Sequence, residues 1–515
     1  MLIHRRTIFL LAISIALCVL KLGLIGIASF NFADDGYTWY GAQRTALGEF
    51  PLLDFSSYDP GRYYWIAAVM SVLQSSDFTA FQIANAFYMA VGVFFGLLVI
   101  TNNGHTKITS LTIIICALTI ILWMFYPVDV YNYSTILLIT WGLVEYSKCN
   151  KGRNAFVLGV IVGLAAFVGR NHGLYGFIAS TLLIIYLGFN GFKDKSIYTR
   201  MFQFFIGLFL GYSPMIVLSI NKPEFFMSVI DSIRLLFELG QTNLPLPLPL
   251  PWDASLPWTT SLGELFYFYI LNTPIALREF SKIGRALTFW GTIFISIWLL
   301  LVSLKNKISG KESDSILFAI GLIGIVAAHY PFSRAGLTKI SYAFLPLLIL
   351  TLHYAVRSEK FKNVMLSTIL LFTLANVSHA YSEYLVCRFT QKCEVRNGVT
   401  VPKGMFDHLS NVDKIVQKYA SSETDSFAVL PYGSYVYADL QRKSPVYYLY
   451  PAIPISKTRQ MDEIKKISEL KPKFILFTGG REGYQTNFPD VVKYIETKYQ
   501  LEIQEQHVGY ELYVY

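Results

Sequence analysis

Residues 81–101 read FQIANAFYMAVGVFFGLLVIT and contain no Asp, Glu, Lys or Arg. As an α-helix rising about 1.5 Å per residue, this stretch matches the roughly 30 Å thickness of a bilayer's hydrocarbon core. It therefore predicts a transmembrane helix. Similar apolar windows lie at residues 7–29, 109–127, 133–147, 155–170, 173–189, 201–220, 286–304, 315–330, 340–356 and 363–380. We predict a polytopic α-helical membrane protein with about eleven spans.

The composition of the whole chain agrees with this class. Of 515 residues, 54% are hydrophobic and only 15% are charged, and the mean hydropathy is +0.44. Ordinary soluble domains carry about 25% charged residues. The same composition excludes a disordered, collagenous or coiled-coil chain, and five cysteines are too few for a disulfide-held scaffold.

Short basic clusters between the apolar windows predict the topology. With the N-terminus in the cytoplasm, all of them fall on the cytoplasmic side, as the positive-inside rule requires. An odd number of spans then places the C-terminus outside, so we expect a plasma (inner) membrane protein with an exported tail. This pattern also accounts for the net charge of +9 without nucleic-acid binding. The clusters are Arg5 and Arg6; Lys148, Lys151 and Arg153; Lys193, Lys195 and Arg200; Lys305, Lys307 and Lys311; and Arg357, Lys360 and Lys362.

Residues 1–29 also resemble a secretory signal peptide, with Arg5 and Arg6 before an apolar run and small residues near its end. We favour an uncleaved first helix. The apolar run is longer than a typical signal core, and its removal would place the basic clusters on the wrong side.

Two domains are predicted: a transmembrane domain over residues 1–380, with external loops at 30–80 and 221–285, and a soluble extracytoplasmic α/β domain over residues 381–515. In the second, short runs rich in apolar and aromatic residues predict strands and the helical period predicts helices. The expected strands are 427–430, 446–449, 474–477, 501–504 and 511–515, and the expected helices are 405–419, 459–470 and 490–498. Cys387 and Cys393 predict a local disulfide in this exported part, while the other three cysteines are expected to be free.

The loop at 221–285 contains an alternating Leu-Pro repeat over residues 244–251, which is flanked by Trp252 and Trp258. Proline removes backbone donors and favours polyproline II, so an extended strip is expected. It is either a rigid spacer with tryptophans at headgroup depth or a lid over an external cavity.

An acidic pair follows the first apolar window. Asp34 and Asp35 precede a segment at about 37–47 that we expect to be amphipathic and to hold both acids at the membrane interface. Carboxylates are costly in hydrocarbon, so this pair faces water or a polar cavity. Further on, Asp54 lies in GEFPLLDF (48–55), and Asp59 and Arg62 lie in YDPGRYY (58–64).

The acidic pair, these two phrases, the many spans and the exported tail together resemble the GT-C class of polytopic glycosyltransferases, which includes protein O-mannosyltransferases, oligosaccharyltransferases and aminoarabinose transferases. The resemblance implies an inverting transfer of a sugar from a polyprenyl-phosphate donor to a glycan, lipid or protein acceptor outside the cytoplasm. It also implies that Asp34 or Asp35 is the general base, and that Asp54, Asp59 and Arg62 lie in a substrate loop. A divalent cation is used by some members, and we leave the metal open.

The lipid phosphate of such a donor needs positive charge. We expect Arg170, His172, Arg334 and Lys339 to bind it, because Arg offers a bidentate fork and Lys a point charge. His329 is a further candidate. Interfacial snorkelling is the alternative for Arg334 and Lys339, and a satisfied polar contact is the alternative for His172.

Two other classes of function compete. A transporter or flippase of lipid-linked sugars would need charged residues deep within the spans and commonly an internal repeat, whereas the windows hold mainly Lys21. A non-catalytic membrane scaffold would leave the acidic pair without a role. A tyrosine-rich region of the tail is compatible with stacking on sugars, although such tyrosines usually serve packing; its members are Tyr432, Tyr435, Tyr437, Tyr447, Tyr448 and Tyr450.

Overall fold

A computed structural model of the chain describes residues 2–26, 33–188, 196–239, 246–253, 273–311, 314–389, 393–396, 399–450, 454–478, 481–505 and 510–515. Most of these residues are helical. The helices are α1 (Leu2–Lys21, followed by a π turn at Leu22–Gly26), α2 (Asp34–Ala46), α3 (Pro60–Leu73), α4 (Phe78–Ile100), α5 (Ser110–Trp123), α6 (Val130–Lys148), α7 (Gly152–Val168), α8 (Arg170–Gly188), α9 (Ser196–Gly211), α10 (Ser213–Asn221), α11 (Pro223–Leu239), α12 (Thr273–Ile308), α13 (Ser315–Ser333), α14 (Leu337–Ala355), α15 (Lys362–Phe389), α16 (Lys403–Tyr419), α17 (Ser434–Asp439), α18 (Lys457–Leu470), α19 (Arg481–Asn487) and α20 (Pro489–Lys498). The strands are β1 (Cys393–Arg396), β2 (Val399–Pro402), β3 (Ala428–Leu430), β4 (Phe474–Thr478), β5 (Gln500–Glu505) and β6 (Tyr510–Val514).

Each of the eleven apolar windows coincides with a helix or with the bent pair α9–α10. Among the described residues, five helices are long and apolar enough to cross a membrane, or six if the pair α9–α10, bent by 48°, forms one span. The five are Arg5–Leu24, Phe78–Ile100, Ser281–Ile308, Ser315–Ser333 and Leu337–Ala355. The chain is thus a polytopic membrane protein, and the count of eleven spans remains a prediction.

Residue contacts divide the chain into two compact units. Unit 1 comprises Met1–Ile25, Asn85–Val217 and Pro245–Val386, and unit 2 comprises Gly26–Ala84, Leu218–Leu244 and Cys387–Tyr515. Unit 2 therefore combines the tail with two earlier segments of the chain. The predicted domain boundary at 380 falls close to one of these divisions.

Glycines allow α7 and α9 of unit 1 to pack closely. A Cβ atom on Gly159 would overlap the carbonyl oxygen of Phe204, and one on Gly207 would overlap that of Phe156. Small residues permit such close backbone approach between membrane helices, where dispersion replaces the hydrophobic effect as the driving force.

The sheet of unit 2 has the strand order β3-β4-β6-β5. β3 and β4 are parallel, whereas β4–β6 and β6–β5 are antiparallel, with an irregular register between Leu501 and Ile503. Four predicted strands and all three predicted helices of the tail are confirmed within a few residues. The additional hairpin β1–β2 and the short helices α17 and α19 were not predicted.

The predicted strand at 446–449 is wrong. The carboxylate of Glu463 on α18 accepts the backbone N–H groups of Tyr447, at 2.9 and 3.1 Å, and of Tyr448, at 3.2 Å. These donors are thereby withdrawn from a strand ladder, so the segment has an irregular conformation.

The loop predicted at 221–285 begins with a regular helix, α11, which belongs to unit 2. Arg459 on α18 pairs with Asp231 at 2.6 Å and with Glu238 at 3.0 Å. Residues 246–250 are in neither helix nor strand, and Pro251–Asp253 form a 3-10 turn, so the extended strip stays a prediction; Trp258 lies outside the described residues.

Of the cysteines, Cys18, Cys116 and Cys149 are free thiols, as predicted. The side chains of Cys387 and Cys393 lie outside the described part of the structure, so their disulfide remains a prediction.

Candidate functional site

Asp34 and Asp35 are the first two residues of α2. Acidic side chains at this position are stabilised by the partial positive charge of the helix N-terminus. Asp35 is fully buried, whereas Asp34 is partly exposed. The two adjacent acids therefore occupy different environments, which the sequence did not distinguish.

Helix α2 is buried on nearly every face instead of being amphipathic at an interface. Its N-terminal turn packs against the start of α17, because a Cβ atom on Gly36 would lie 2.7 Å from Cβ of Tyr435. Further along, Gln43 Nε2 donates to the carbonyl oxygen of Ala438 at 3.1 Å, and the Ser444 N–H donates to Tyr40 Oη at 2.9 Å. The tail thus fixes the helix that carries the acidic pair.

Four tyrosines form a row of rings within unit 2, which we call the tyrosine row: Tyr58, Tyr37, Tyr450 and Tyr432. The centroid of Tyr37 is 5.2 Å from that of Tyr58 and 5.7 Å from that of Tyr450, and Tyr450 lies 5.1 Å from Tyr432. These are separations typical of interacting aromatic pairs.

Besides burial, the negative charge of Asp34 raises the pKa of the tyrosines at both ends of the tyrosine row. Burial raises the pKa of Tyr58 well above its usual value, and the negative charge of Asp34 raises it further. The pKa of Tyr432 is raised by the same two causes in the same order. Asp34 is therefore electrostatically coupled to rings from two distant parts of the sequence.

The predicted substrate-loop residues separate into different environments. Arg62 is buried, and its Cζ lies 4.7 Å from the ring centre of Tyr58, a cation–π distance that connects it to the tyrosine row. Asp59 directly precedes α3, with Pro60 at the first helical position. Asp54 closes a turn by accepting the N–H of Phe50 at 2.6 Å.

Unit 1 contains a second group of polar side chains, all buried except the half-buried Lys339, which we call the polar cluster: Asp129, Asn132, His172, Lys339 and Tyr342. Lys339 Nζ lies 2.8 Å and 3.0 Å from the two carboxylate oxygens of Asp129, which immediately precedes α6. Asn132 Nδ2 also donates to Asp129. Lys339 thus has a carboxylate partner that the sequence analysis did not identify.

His172 on α8 links the cluster to α14. Its Nε2 lies 2.8 Å from Asn132 Oδ1, and its Nδ1 lies 2.9 Å from Tyr342 Oη. Because an amide oxygen only accepts, Nε2 carries the proton in this arrangement and Nδ1 accepts from the tyrosine hydroxyl. Gly169 makes room for this imidazole, since a Cβ atom there would lie 2.5 Å from its ring.

The other cationic candidates of unit 1 occupy helix ends. Arg170 is the first residue of α8, and Arg334 directly follows α13; both are partly exposed. His329 Nδ1 forms a 2.9 Å hydrogen bond with Tyr175 Oη. Of the four predicted phosphate ligands, His172 and Lys339 thus share one hydrogen-bonded cluster.

Metal binding finds limited support in the described residues, where no group of three or more His, Cys, Asp or Glu side chains is arranged to hold an ion. Asp34 and Asp35 supply two carboxylates, short of the ligand number that divalent cations usually take from oxygen donors. We therefore derive no step through a metal.

Comparison with known proteins gives a faint similarity. No protein-family profile and no curated protein sequence matches the chain. Among solved structures, the apo oligosaccharyltransferase of Archaeoglobus fulgidus aligns at a TM-score of 0.39 and 14% identity, covering 92% of this chain and 69% of that chain. The same enzyme tethered by a disulfide to an acceptor peptide with the NVT sequon aligns at 0.39 and 13%, covering 99% and 74%. Scores this low assign neither a family nor an activity.

Proposed function

We propose that this chain is an inverting membrane glycosyltransferase of the GT-C class, which moves a sugar from a polyprenyl-phosphate donor to an acceptor on the extracytoplasmic side of the plasma membrane. The acceptor class comprises cell-envelope glycans, lipids and proteins. The proposal rests on the resemblance described above and places the N-terminus in the cytoplasm and the tail outside.

The observation that carries the proposal is the placement of Asp34. A general base must be ionised and reachable by a hydroxyl group. Asp34 stands at the N-terminus of α2, is partly exposed and lies one helical turn before Tyr37 of the tyrosine row. Asp35 is fully buried, so we assign it a positioning role and Asp34 the role of base.

In the proposed step, an acceptor hydroxyl oxygen attacks the anomeric carbon while its proton passes to the Asp34 carboxylate. The bond between the anomeric carbon and the phosphate oxygen breaks, and its electron pair stays on the phosphate. Attack from the face opposite the leaving group inverts the anomeric centre. The phosphate is a sufficiently good leaving group to need no acid.

For the donor phosphate, Arg170 and Arg334 are the stronger candidates. Both are partly exposed guanidinium groups at helix ends. Lys339 forms an ion pair with Asp129, and both ring nitrogens of His172 form hydrogen bonds, so these two residues would have to exchange contacts to bind a phosphate. Substituting Arg170 or Arg334 by Gln is expected to weaken binding of the lipid carrier.

The test is sugar transfer by the purified protein in lipid nanodiscs, with a panel of radiolabelled polyprenyl-phosphate sugars. We expect Asp34→Asn to lower the rate of transfer by about 10²–10⁴-fold, the usual contribution of a general base, while carrier binding is retained. Asp77→Asn serves as the matched control, since Asp77 is an exposed acid whose Oδ1 accepts the N–H of Ala80 at 2.7 Å, a bond that asparagine can also accept, so transfer should stay nearly unchanged.

Two outcomes would refute the proposal. Wild-type protein that releases or transfers no sugar from any donor would exclude the activity. Movement of intact lipid-linked sugar across vesicles without cleavage of the phosphate bond would instead establish a flippase.

A further inference from the structure

The six tyrosines of the tyrosine-rich region between residues 432 and 450 have different environments. Tyr435 and Tyr437 are each only 1% exposed and serve packing. Tyr447 donates its hydroxyl to the carbonyl oxygen of Leu52 at 2.6 Å, and Tyr448 accepts from Arg459 at 3.2 Å. Tyr432 and Tyr450 belong to the tyrosine row, and both are partly exposed.

The backbone of Tyr432 adopts an unusual conformation. Its φ of 59° lies in the left-handed region, which is unfavourable for a bulky side chain and persists only where the surroundings impose it. The next residue, Gly433, packs so closely on the carbonyl oxygen of Val429 that a Cβ atom there would overlap it. The chain therefore passes through a tight turn, and the ring centroid of Tyr432 lies 5.1 Å from that of Tyr450. Such strain is concentrated at functional sites.

The segment that carries Tyr450 is fixed from both sides. The Ser56 N–H donates to the carbonyl oxygen of Tyr447 at 3.0 Å, and the Leu449 N–H donates to Ser56 Oγ at 3.1 Å. On the opposite side, Glu463 accepts the N–H groups of Tyr447 and Tyr448. Hydrogen bonds thus fix the backbone immediately before Tyr450, whose ring is partly exposed.

We propose that Tyr58, Tyr432 and Tyr450 form a saccharide-binding subsite beside Asp34 that holds the acceptor, so that the acceptor is a carbohydrate. This inference rests on the proposed function for the role of Asp34, but it predicts binding that does not depend on catalysis.

The chemistry of the tyrosine row fits a pyranose ring. Aromatic faces carry negative partial charge, and the less polar face of a pyranose presents C–H groups with positive partial charge, so the two stack. Several rigid rings in a row supply contact area at a low cost in side-chain entropy. A sugar stacked there points its hydroxyl groups to the edge, where the Asp34 carboxylate accepts a hydrogen bond.

The experiment is saturation-transfer difference NMR on the full chain in nanodiscs. The probes are the methyl pyranosides of glucose, galactose, mannose and N-acetylglucosamine, mixed with N-acetylthreonine amide. We expect at least one pyranoside, and not the threonine probe, to receive saturation on its ring C–H protons. Tyr432→Ala and Tyr450→Ala should each lower this signal at least fivefold, whereas Tyr432→Phe should retain at least half of it.

The matched control is Tyr515→Ala, which removes a 65% exposed tyrosine of the same unit and should leave the saccharide signal unchanged. Thermal unfolding of each variant identifies any that fails to fold, and Tyr58→Ala then replaces it. Three results would each overturn the subsite. The wild-type protein could saturate the threonine probe alone, or it could give no signal with any pyranoside. The folded variants Tyr432→Ala and Tyr450→Ala could also give the same pyranoside signal as the wild type.

The two proposals fail in distinguishable ways. Saccharide binding without sugar transfer from any donor would reject the glycosyltransferase while the subsite stands. The subsite alone would be rejected if sugar transfer depended on Asp34 but was unaffected by Tyr432→Ala and Tyr450→Ala, and if no pyranoside gave a signal.

Discussion

At the residue scale, Lys339 was predicted to bind the donor phosphate, and in the folded chain it forms an ion pair with Asp129. The pair is separated by 210 residues in sequence and is largely buried, with 13% and 8% of the two side chains exposed. Removing one partner of a buried pair leaves an uncompensated charge, whereas removing both leaves neutral groups.

Lys339→Met is therefore expected to lower the free energy of unfolding by about 3–5 kcal/mol, as measured by thermal unfolding in detergent. The double variant Asp129→Asn/Lys339→Met should recover at least half of this loss, since Asn still contacts Asn132. If the double variant is as unstable as the single one, the ion pair is not the cause.

Glu463 provides a prediction about pH. Burial raises its pKa from 4.5 to about 7, while the N–H groups of Tyr447 and Tyr448 act in the opposite direction and to a smaller extent, as does the charge of Lys466. Between pH 4.5 and 7, the Glu463 carboxyl group therefore keeps its proton in the folded protein but has lost it in the unfolded chain. This contribution to stability is complete below about pH 4.5 and is lost as pH rises through 7, an effect on the order of 3 kcal/mol.

Glu463→Gln should remove this part of the pH dependence of the melting temperature between pH 5 and 8, since the amide does not ionise and its oxygen still accepts an N–H. Glu469→Gln on the same helix is the control, because its side chain is 61% exposed. An unchanged pH profile in Glu463→Gln would contradict the assignment.

At the element scale, the contact between α7 and α9 depends on glycine. Gly207→Ala would force the helices apart at the carbonyl of Phe156 and should destabilise the protein by about 1–3 kcal/mol, the usual cost of overpacking. Gly291→Ala is the matched control, since nothing lies within 4 Å of a Cβ atom at this helical position, and helix propensity alone should favour alanine. Thermal unfolding followed by circular dichroism compares the two; equal melting temperatures would exclude close packing as the reason for glycine.

Helix α11 is joined to α18 through Arg459. Asp231 and Glu238 are about half exposed, so the pairs contribute at most about 1 kcal/mol to global stability. Local opening of α11 is a more sensitive measure. We expect Arg459→Met to increase amide hydrogen exchange within Pro223–Leu239 with little change in melting temperature, while Lys465→Met, which affects only an exposed pair with Glu469, leaves exchange unchanged.

At the scale of the whole molecule, the tail is one part of a larger unit. Unit 2 also contains α2 and α3, and hydrogen bonds connect Gln43 with Ala438, Tyr40 with Ser444 and Leu52 with Tyr447. A polypeptide of residues 381–515 alone would expose the apolar surface that these segments cover.

We therefore expect residues 381–515, expressed alone, to lack the cooperative unfolding transition and the dispersed amide NMR spectrum of a folded domain. Limited proteolysis of the intact protein provides the comparison, because the same residues should resist cleavage there. A well-dispersed spectrum from the isolated tail would show that it folds independently.

Hydropathy and periodicity are properties of short stretches of sequence, so they predicted where individual helices and strands lie. Each apolar window coincides with a helix or with the bent pair α9–α10, short apolar-rich runs identified β3, β4, β5 and β6, and the acidic pair lies at the start of α2. The prediction of a strand at 446–449 was wrong because a distant carboxylate, Glu463, takes its backbone donors.

Only the tertiary structure decided which distant residues meet. It paired Asp129 with Lys339, placed Tyr450 between Tyr37 on α2 and Tyr432, and buried Asp35 while leaving Asp34 partly exposed. The physical reason is that burial and side-chain contacts arise from packing between segments, and one sequence without its packing carries no signal for which carboxylate is enclosed or which ring reaches it.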